Sequence, residues 1–276
     1  MPVAEYQWKS FDGLDLYALQ WPSNEQPKAV VAFVHGHGDH CRRYDEWFSL
    51  LTARNISVLA FDYRGHGRSQ GKRGVIRSYN DLQQDVTLLH EKAKALFPGI
   101  PVILYGHSMG ATLVLSYILK SPTLPELAIT TSPWLQLNKA PGKFVSALIK
   151  SGNIFAPFFT FKTGLHSSDF STLNSFSEKR ENDAFIHNRI SFRLFSEVQK
   201  EVQWIQSHFN KIKTPLLLMQ GKDDLIMDGA ATRKLNEGSM DNVKYFEWKN
   251  AGHQLHNSLR SSEIMDFMID WIKAGI

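Results

Sequence analysis

A five-residue motif, GHSMG at residues 106–110, carries the clearest chemical signal in the sequence. It matches the pattern G-x-S-x-G and stands between a buried apolar run, Val102–Tyr105, and a helical pattern, Ala111–Lys120. In a sharp strand-to-helix turn, glycines two positions from the serine avoid steric overlap, and the hydroxyl projects at a helix N-terminus that stabilises negative charge. The motif predicts that Ser108 is a nucleophile. The alternative is a glycine-rich turn that only begins the helix.

A serine hydroxyl needs a base, and the base needs an acid to orient it. The apolar run PLLLMQ is followed by Asp223 and Asp224, and the next strand-like run, VKYFEW, is followed by His253 and His256. Only one of the adjacent aspartates is expected to face the imidazole. His253 lies in the loop directly after its strand, whereas His256 is expected on the rim or at the start of the next helix. The residues alone leave both choices open.

The stretch HGHGDH, residues 35–40, permits two kinds of chemistry. Glycines let the backbone approach a reaction centre, so the N–H groups of His37 and Met109 are candidates to bind a developing oxyanion. The same stretch reads H-x-H-x-D-H, a spacing that binds zinc in metallo-β-lactamase-like hydrolases. Because that alternative requires largely antiparallel strands and leaves Ser108 unexplained, we favour the serine mechanism, with no metal and no cofactor.

The apolar pattern predicts the elements that position these residues. Two short runs around Asp12-Gly13 indicate a β-hairpin, and continuous apolar runs then alternate with amphipathic helical patterns. This alternation is typical of a parallel, doubly wound sheet. It stops between about residues 134 and 210, where helical patterns replace the strands, so we expect a helical insertion at one sheet edge. The predicted buried strands are Ala29–Val34, Ile56–Phe61, Val102–Tyr105, Leu127–Thr131, Pro215–Gln220 and Val243–Trp248.

Composition excludes several classes of protein. The chain has 276 residues, a net charge of +4 and no long basic run, which argues against a nucleic-acid partner. Its single cysteine, Cys41, excludes an intrachain disulfide and is expected to be a small buried residue rather than a sensor. The first ten residues lack the apolar core of a signal peptide, so we expect a cytoplasmic protein.

Five stretches spread over nearly the whole chain carry a family resemblance: HGHGDHCRRY (35–44), FDYRGHGRSQGKRG (61–74), GHSMG (106–110), LLLMQGKDDLIMD (216–228) and AGHQLH (251–256). In this order they resemble the α/β-hydrolases of the monoacylglycerol lipase and lysophospholipase group. The resemblance implies an α/β-hydrolase fold, with a mostly parallel central sheet flanked by helices. Residues 1–133 and 211–276 would form the core, and residues 134–210 a helical cap inserted in the same domain.

The resemblance also implies a site and a reaction. The family pattern makes Ser108 the nucleophile, Asp224 the acid and His253 the base, with the His37 and Met109 amides as the oxyanion hole. A small residue is more usual where His37 stands. The implied activity is hydrolysis of a single-chain lipid ester, monoacylglycerol to glycerol and fatty acid, through an acyl-enzyme and without a cofactor. The alternatives are a short-chain carboxylesterase or lysophospholipase with the same triad, and a non-catalytic ligand-binding relative.

Phenylalanine is concentrated in the region that the resemblance identifies as the cap, where 11 of the 18 lie between residues 144 and 209. We expect Phe144, Phe155, Phe158 and Phe159 to line a tunnel for the acyl chain of a lipid ester substrate. A transient contact of the cap with a membrane surface is the second expectation, and it would make the protein peripheral. Packing of the cap onto the body is the alternative use of these rings.

Overall fold

The computed structural model describes residues 2–171, 173–238 and 241–276, so Met1, Thr172, Ser239 and Met240 lie outside the described residues. The strands are β1 Ala4–Lys9, β2 Asp15–Trp21, β3 Ala29–Val34, β4 Ile56–Phe61, β5 Val102–His107, β6 Leu127–Thr131, β7 Thr160–Lys162, β8 Arg189–Ser191, β9 Leu216–Gly221 and β10 Val243–Trp248. The helices are α1 Asp45–Thr52, α2 Tyr79–Leu96, α3 Met109–Lys120, α4 Lys143–Phe155, α5 Asn174–Glu181, α6 Phe192–His208, α7 Gly229–Asn236 and α8 Ser261–Gly275.

Eight of these strands form one twisted sheet in the order β1-β2-β4-β3-β5-β6-β9-β10. The pairs β1–β2 and β2–β4 are antiparallel, and the other neighbours are parallel. The predicted hairpin and the mostly parallel sheet are therefore confirmed. Because β3, β5, β9 and β10 run parallel, the loops that follow them meet at one edge of the sheet, where the polar motifs of the sequence lie.

Helices cover both faces of the sheet. Along β3, Val30 and Ala32 face the core beneath α2, α3 and α6, whereas Val31 and Phe33 face the core beneath α1 and α8. This two-sided burial explains why the strand is a continuous apolar run rather than an alternating one. Among the helices of the described residues, none is both long and apolar enough to cross a membrane.

The segment between β6 and β9 contains α4, β7, α5, β8 and α6. Its helices were expected, but the short antiparallel pair β7–β8 was missed, since strands of three residues leave no periodic signal. Helix α6 packs this segment onto the helical layer of the body, because Leu194, Val198 and Ile205 are buried in the core shared with α2 and α3. Helix α4 packs on α6 and buries only Ile149.

Candidate active site

Ser108 occupies a strained turn between β5 and α3. Its backbone has φ 56° and ψ −120°, a conformation that L-residues rarely adopt. The flanking glycines make this turn sterically feasible: a Cβ on Gly106 would overlap the carbonyl oxygen of Gly110, and one on Gly110 would overlap that of Val34. The spacing of glycines around the serine is thus explained by close backbone approaches on both sides.

A chain of hydrogen bonds links Ser108, His253 and Asp224. His253 Nδ1 lies 2.8 Å from Asp224 Oδ2, and since a carboxylate accepts, Nδ1 donates. With its single proton on Nδ1, the ring offers Nε2 as an acceptor, 3.0 Å from Ser108 Oγ. Asp224 is held by further donors, the amides of Ile226 and Met227 at 2.8 and 2.9 Å. The side chains of all three hydrogen-bonded residues are buried, so few water molecules compete for these bonds.

The structure separates these residues from the other candidates considered from the sequence. Asp223 is exposed and contributes its backbone amide to the carbonyl of Ala251. His256 lies in a short 3-10 turn and is buried, not on the rim as expected. Its ring packs 4.4 Å from that of Tyr44, and burial lowers the pKa of His256 to about 3.

The two residues whose amides were expected to form an oxyanion hole, His37 and Met109, both belong to segments next to Ser108. Met109 is the first residue of α3, so its N–H belongs to the helix end, where no intrahelical acceptor exists. The loop carrying His37 approaches Ser108 closely, since a Cβ on Gly36 would lie 3.1 Å from that of Ser108. Both backbone segments therefore lie close to Ser108, and His37 lines the same cavity as the hydroxyl.

The His37 side chain ties this loop to the segment between β6 and β9. Nε2 of His37 donates to the carbonyl of Arg189 at 3.0 Å, and the amide of His187 donates to the carbonyl of Gly38 at 3.0 Å. The His37 ring also packs against those of His66 and His187, at 5.4 and 5.2 Å. Burial lowers the pKa of His37 to about 4, so the ring is neutral near pH 7.

The side chains of residues 35–40 point to separate partners instead of a shared centre. His35 contacts the carbonyl of Gly36, Asp39 forms an ion pair with Arg43 at 2.9 Å, and His40 bonds Asp183 at 2.8 Å. Within the described ranges, no group of three or more histidine, cysteine, aspartate or glutamate side chains has the geometry of a metal site. In the part of the chain that the structure describes, the H-x-H-x-D-H residues are therefore not arranged as a zinc site.

A cavity of about 790 Å³ opens in front of Ser108 and His253. Its walls come mainly from the segment between β6 and β9, and they include Val145, Ile149 and Phe161. The sequence analysis did not predict these residues as part of the wall. The four-residue spacing of Val145 and Ile149 places them on one face of α4, and this pattern could have identified them.

The four phenylalanines predicted to line the acyl tunnel do not lie in this wall. Phe144 and Phe155 are 83% and 85% exposed, and Phe158 and Phe159 are 47% and 60% exposed. The prediction is corrected: the apolar wall is formed by other residues, among them Phe161, while these four rings face outward. The physical reason for Phe144 and Phe155 is that α4 turns its Val145 and Ile149 face toward the cavity, which leaves these two positions on a neighbouring, outward side of the helix.

Comparison with known proteins supplies the family. The Hydrolase_4 family, described as serine aminopeptidase, S33, matches residues 25–260. An uncharacterized abhydrolase domain-containing protein of Dictyostelium discoideum is 30% identical over 263 residues, which is 93% of this chain but only 27% of that longer protein. Monoglyceride lipase of Mus musculus is 28% identical over 271 residues, covering 96% of this chain and 89% of that protein.

Solved structures agree with this relationship. The crystal structure of Paleococcus ferrophilus monoacylglycerol lipase superimposes with a TM-score of 0.84 at 28% identity, covering 95% of this chain and 99% of that one. The fold is thus the α/β-hydrolase fold, and the similarities indicate a monoglyceride lipase-like serine hydrolase that acts on carboxylic esters. Because the family match covers most of the chain, the chain belongs to the Hydrolase_4 family of α/β-hydrolases.

Proposed function

We propose that Ser108, His253 and Asp224 are a catalytic triad that hydrolyses esters of single-chain lipids, with a monoacylglycerol as the simplest substrate. The observation that carries the proposal is the continuous hydrogen-bond chain from Ser108 Oγ through His253 to Asp224, beside a cavity whose wall is apolar in part. Ser108 attacks the ester carbonyl while His253 Nε2 takes its proton. Asp224 keeps Nδ1 protonated and stabilises the imidazolium that forms.

The remaining steps use the same groups. The amides of His37 and Met109 stabilise the negative charge that develops on the carbonyl oxygen. His253 then returns the proton to the leaving alcohol, and the acyl chain stays on Ser108 as an ester. Water activated by His253 hydrolyses this acyl-enzyme and releases the fatty acid. Each step is acid–base or acyl-transfer chemistry, which the named groups supply without a cofactor.

The size and lining of the cavity support a lipid ester. A volume of about 790 Å³ lies within the range of roughly 300–1,000 Å³ that is usual for small-molecule sites. Its apolar wall includes Ile149, Phe161 and Phe195, which remove an acyl chain from water. At about 0.8 kcal/mol for each buried methylene, a long chain gains more binding energy here than a short one. We therefore assign residues 134–210 the role of a cap over the site.

The outer face of α4 supports a transient contact with a lipid surface. Phe144, Leu148 and Phe155 are all more than half exposed, and they adjoin the face that lines the cavity. A monomeric protein rarely exposes such an apolar patch without a partner. Contact with a lipid surface would bring the acyl chain to the cavity mouth, which gives this face a use in the proposed reaction.

A substrate panel with the Ser108→Ala variant tests the proposed reaction. We expect the wild-type protein to release fatty acid from monoacylglycerols, and the variant to lose this activity by several orders of magnitude. In a series of glycerol monoesters, kcat/KM should rise with acyl length. An unchanged rate in Ser108→Ala would contradict the triad. A maximum at acyl chains of about two to four carbons would contradict the lipid assignment and indicate a short-chain esterase, because added methylenes would then gain nothing.

Sedimentation with phosphatidylcholine vesicles tests the lipid contact. Replacement of Phe144 and Phe155 by serine should reduce the bound fraction, while hydrolysis of a water-soluble ester should stay near the wild-type rate. Leu259→Ser is the matched control, because Leu259 is also 83% exposed but lies just before α8. Equal vesicle binding by the double variant and the wild-type protein would refute the contact.

A further inference from the structure

Arg180, the penultimate residue of α5, lies buried in the wall of the catalytic cavity. It lines the same cavity as Ser108 and His253 and is only 8% exposed. Its guanidinium carbon stands 3.8 Å above the centre of the Phe170 ring, whose centre is 5.9 Å from that of His253. Its Nη1 atom is buried and has no hydrogen-bond partner among the described residues. Such unpaired donors are rare in protein interiors.

The charge of Arg180 is only partly balanced. The carboxylate nearest to it, Asp39, lies 3.8 Å from Nη1, beyond hydrogen-bond distance, and already pairs with Arg43 at 2.9 Å. Two guanidinium groups thus share one carboxylate. Asp183 also attracts the guanidinium, but its Oδ2 atom bonds His40 at 2.8 Å. Burial lowers the pKa of Arg180 despite these carboxylates, so the cationic form is incompletely stabilised by the protein alone.

We propose that Arg180 binds a phosphate group carried by the alcohol portion of the substrate. This inference rests on the proposed function and deepens it. His253 returns a proton to the leaving alcohol, so the alcohol lies on the His253 side of the ester, next to the Phe170 ring that supports Arg180. A planar guanidinium presents paired N–H donors that match phosphate oxygens. The preferred substrate is then a single-chain acylglycerol phosphate, and the neutral monoacylglycerol is a weaker one.

The test compares two substrates that differ only in this group, monooleoylglycerol and monooleoylglycerol phosphate. The wild-type protein should cleave the phosphate ester with the higher kcat/KM. Arg180→Gln should lower kcat/KM for the phosphate ester about 10- to 100-fold, the usual effect of losing a charge-assisted hydrogen bond, and change it less than about threefold for the neutral ester. Arg180→Lys should retain part of the preference, since the charge remains but the paired donors are lost.

Lys162→Gln is the matched control. Lys162 lines the same cavity but is exposed, so its removal takes away one positive charge without touching the buried site. It should leave the preference for the phosphate ester within about twofold, because an exposed charge is screened by solvent. Loss of the preference in Lys162→Gln as well would show that overall charge attracts the substrate, and it would overturn the assignment to Arg180.

Activity on the neutral ester shows whether each variant is folded. If Arg180→Gln does not fold, competition on the wild-type protein gives the answer: glycerol phosphate should inhibit monooleoylglycerol hydrolysis at concentrations at which glycerol does not. Equal loss on both esters, or equal inhibition by both alcohols, would overturn the inference while the proposed hydrolysis stands. If the wild-type protein cleaves neither ester, the proposed function fails together with the inference.

Discussion

Buried neutral histidines predict that acid destabilises this protein, and His256 allows the effect to be measured. His256 is 7% exposed and is packed between the rings of Tyr44 and His107, at 4.4 and 5.1 Å. Burial lowers its pKa to about 3; Asp39 opposes this shift, whereas Arg43 and His253 add to it. An unfolded chain exposes the same imidazole, whose pKa is then about 6.5.

The sign and size follow from proton uptake. Below about pH 6.5 the unfolded state binds a proton at this position and the folded state does not, so stability falls as the pH falls. Between about pH 7.5 and pH 5 one such histidine costs about 2 kcal/mol, and the loss continues until the folded pKa near 3 is reached. Asp39, whose pKa is lowered to about 2, acts only below about pH 4 and lies outside this window. The other histidines whose pKa is lowered by burial act in the same direction, namely His35, His37, His66, His90, His107 and His187.

The assay is urea unfolding of the wild-type protein and of His256→Gln at about pH 7.5 and about pH 5. The variant removes one titrating group, so its stability should fall by about 2 kcal/mol less than that of the wild-type protein over this range. Comparing each protein with itself cancels any loss of packing. His166→Gln removes an exposed imidazole and is the matched control, with a wild-type pH dependence expected. The same fall in His256→Gln and wild type would refute the reasoning.

Three further outcomes are expected. Asp224→Asn should lower kcat by about 10²- to 10⁴-fold because the tautomer of the base is no longer fixed, whereas the exposed neighbour variant Asp223→Asn should stay within about twofold in the same ester assay. Gly110→Ala should lower the free energy of unfolding by about 1–3 kcal/mol or more, measured by thermal or urea unfolding, because a Cβ there overlaps a carbonyl of β3. In the control Gly142→Ala the Cβ meets open space, so the loss should be less than about 1 kcal/mol. Cys41 is buried and its pKa is raised, so iodoacetamide should label it about 10²-fold more slowly in the native than in the unfolded protein; rapid native labelling would contradict this.

The sheet and the hydrogen-bonded residues of the site were accessible from the sequence because both depend on local patterns. The apolar run of β3 and the glycines around Ser108 each reflect a constraint within a few residues of themselves. The choice between Asp223 and Asp224 could not be made from such a local pattern, and it came from the family resemblance. The structure supplies its physical reason: the turn after β9 directs the amides of Ile226 and Met227 at the Asp224 carboxylate.

The phenylalanines of α4 show where such patterns fail. The sequence of α4 is apolar on more than one side, so its pattern alone does not say which side turns inward. That choice depends on packing against α6, about 40 to 50 residues further along the chain, where Gly152 stands so close to Phe192 that a Cβ would overlap its ring. With this contact fixed, Val145 and Ile149 face the cavity and Phe144 faces outward.

The contact made by His37 is also invisible to local sequence patterns, and it affects the proposed oxyanion donor. A small residue at this position would remove one of the bonds between the loop and the segment that walls the cavity, namely the bond from the imidazole to the carbonyl of Arg189, 152 positions away. No local pattern could reveal such a contact. Because the His37 amide is a proposed oxyanion donor, one set of bonds holds both the wall proposed to receive the acyl chain and the backbone proposed to stabilise the transition state. Movement of residues 187–191 would therefore disturb substrate fit and oxyanion geometry together. If the wall and the loop were held by independent bonds, each could move without the other.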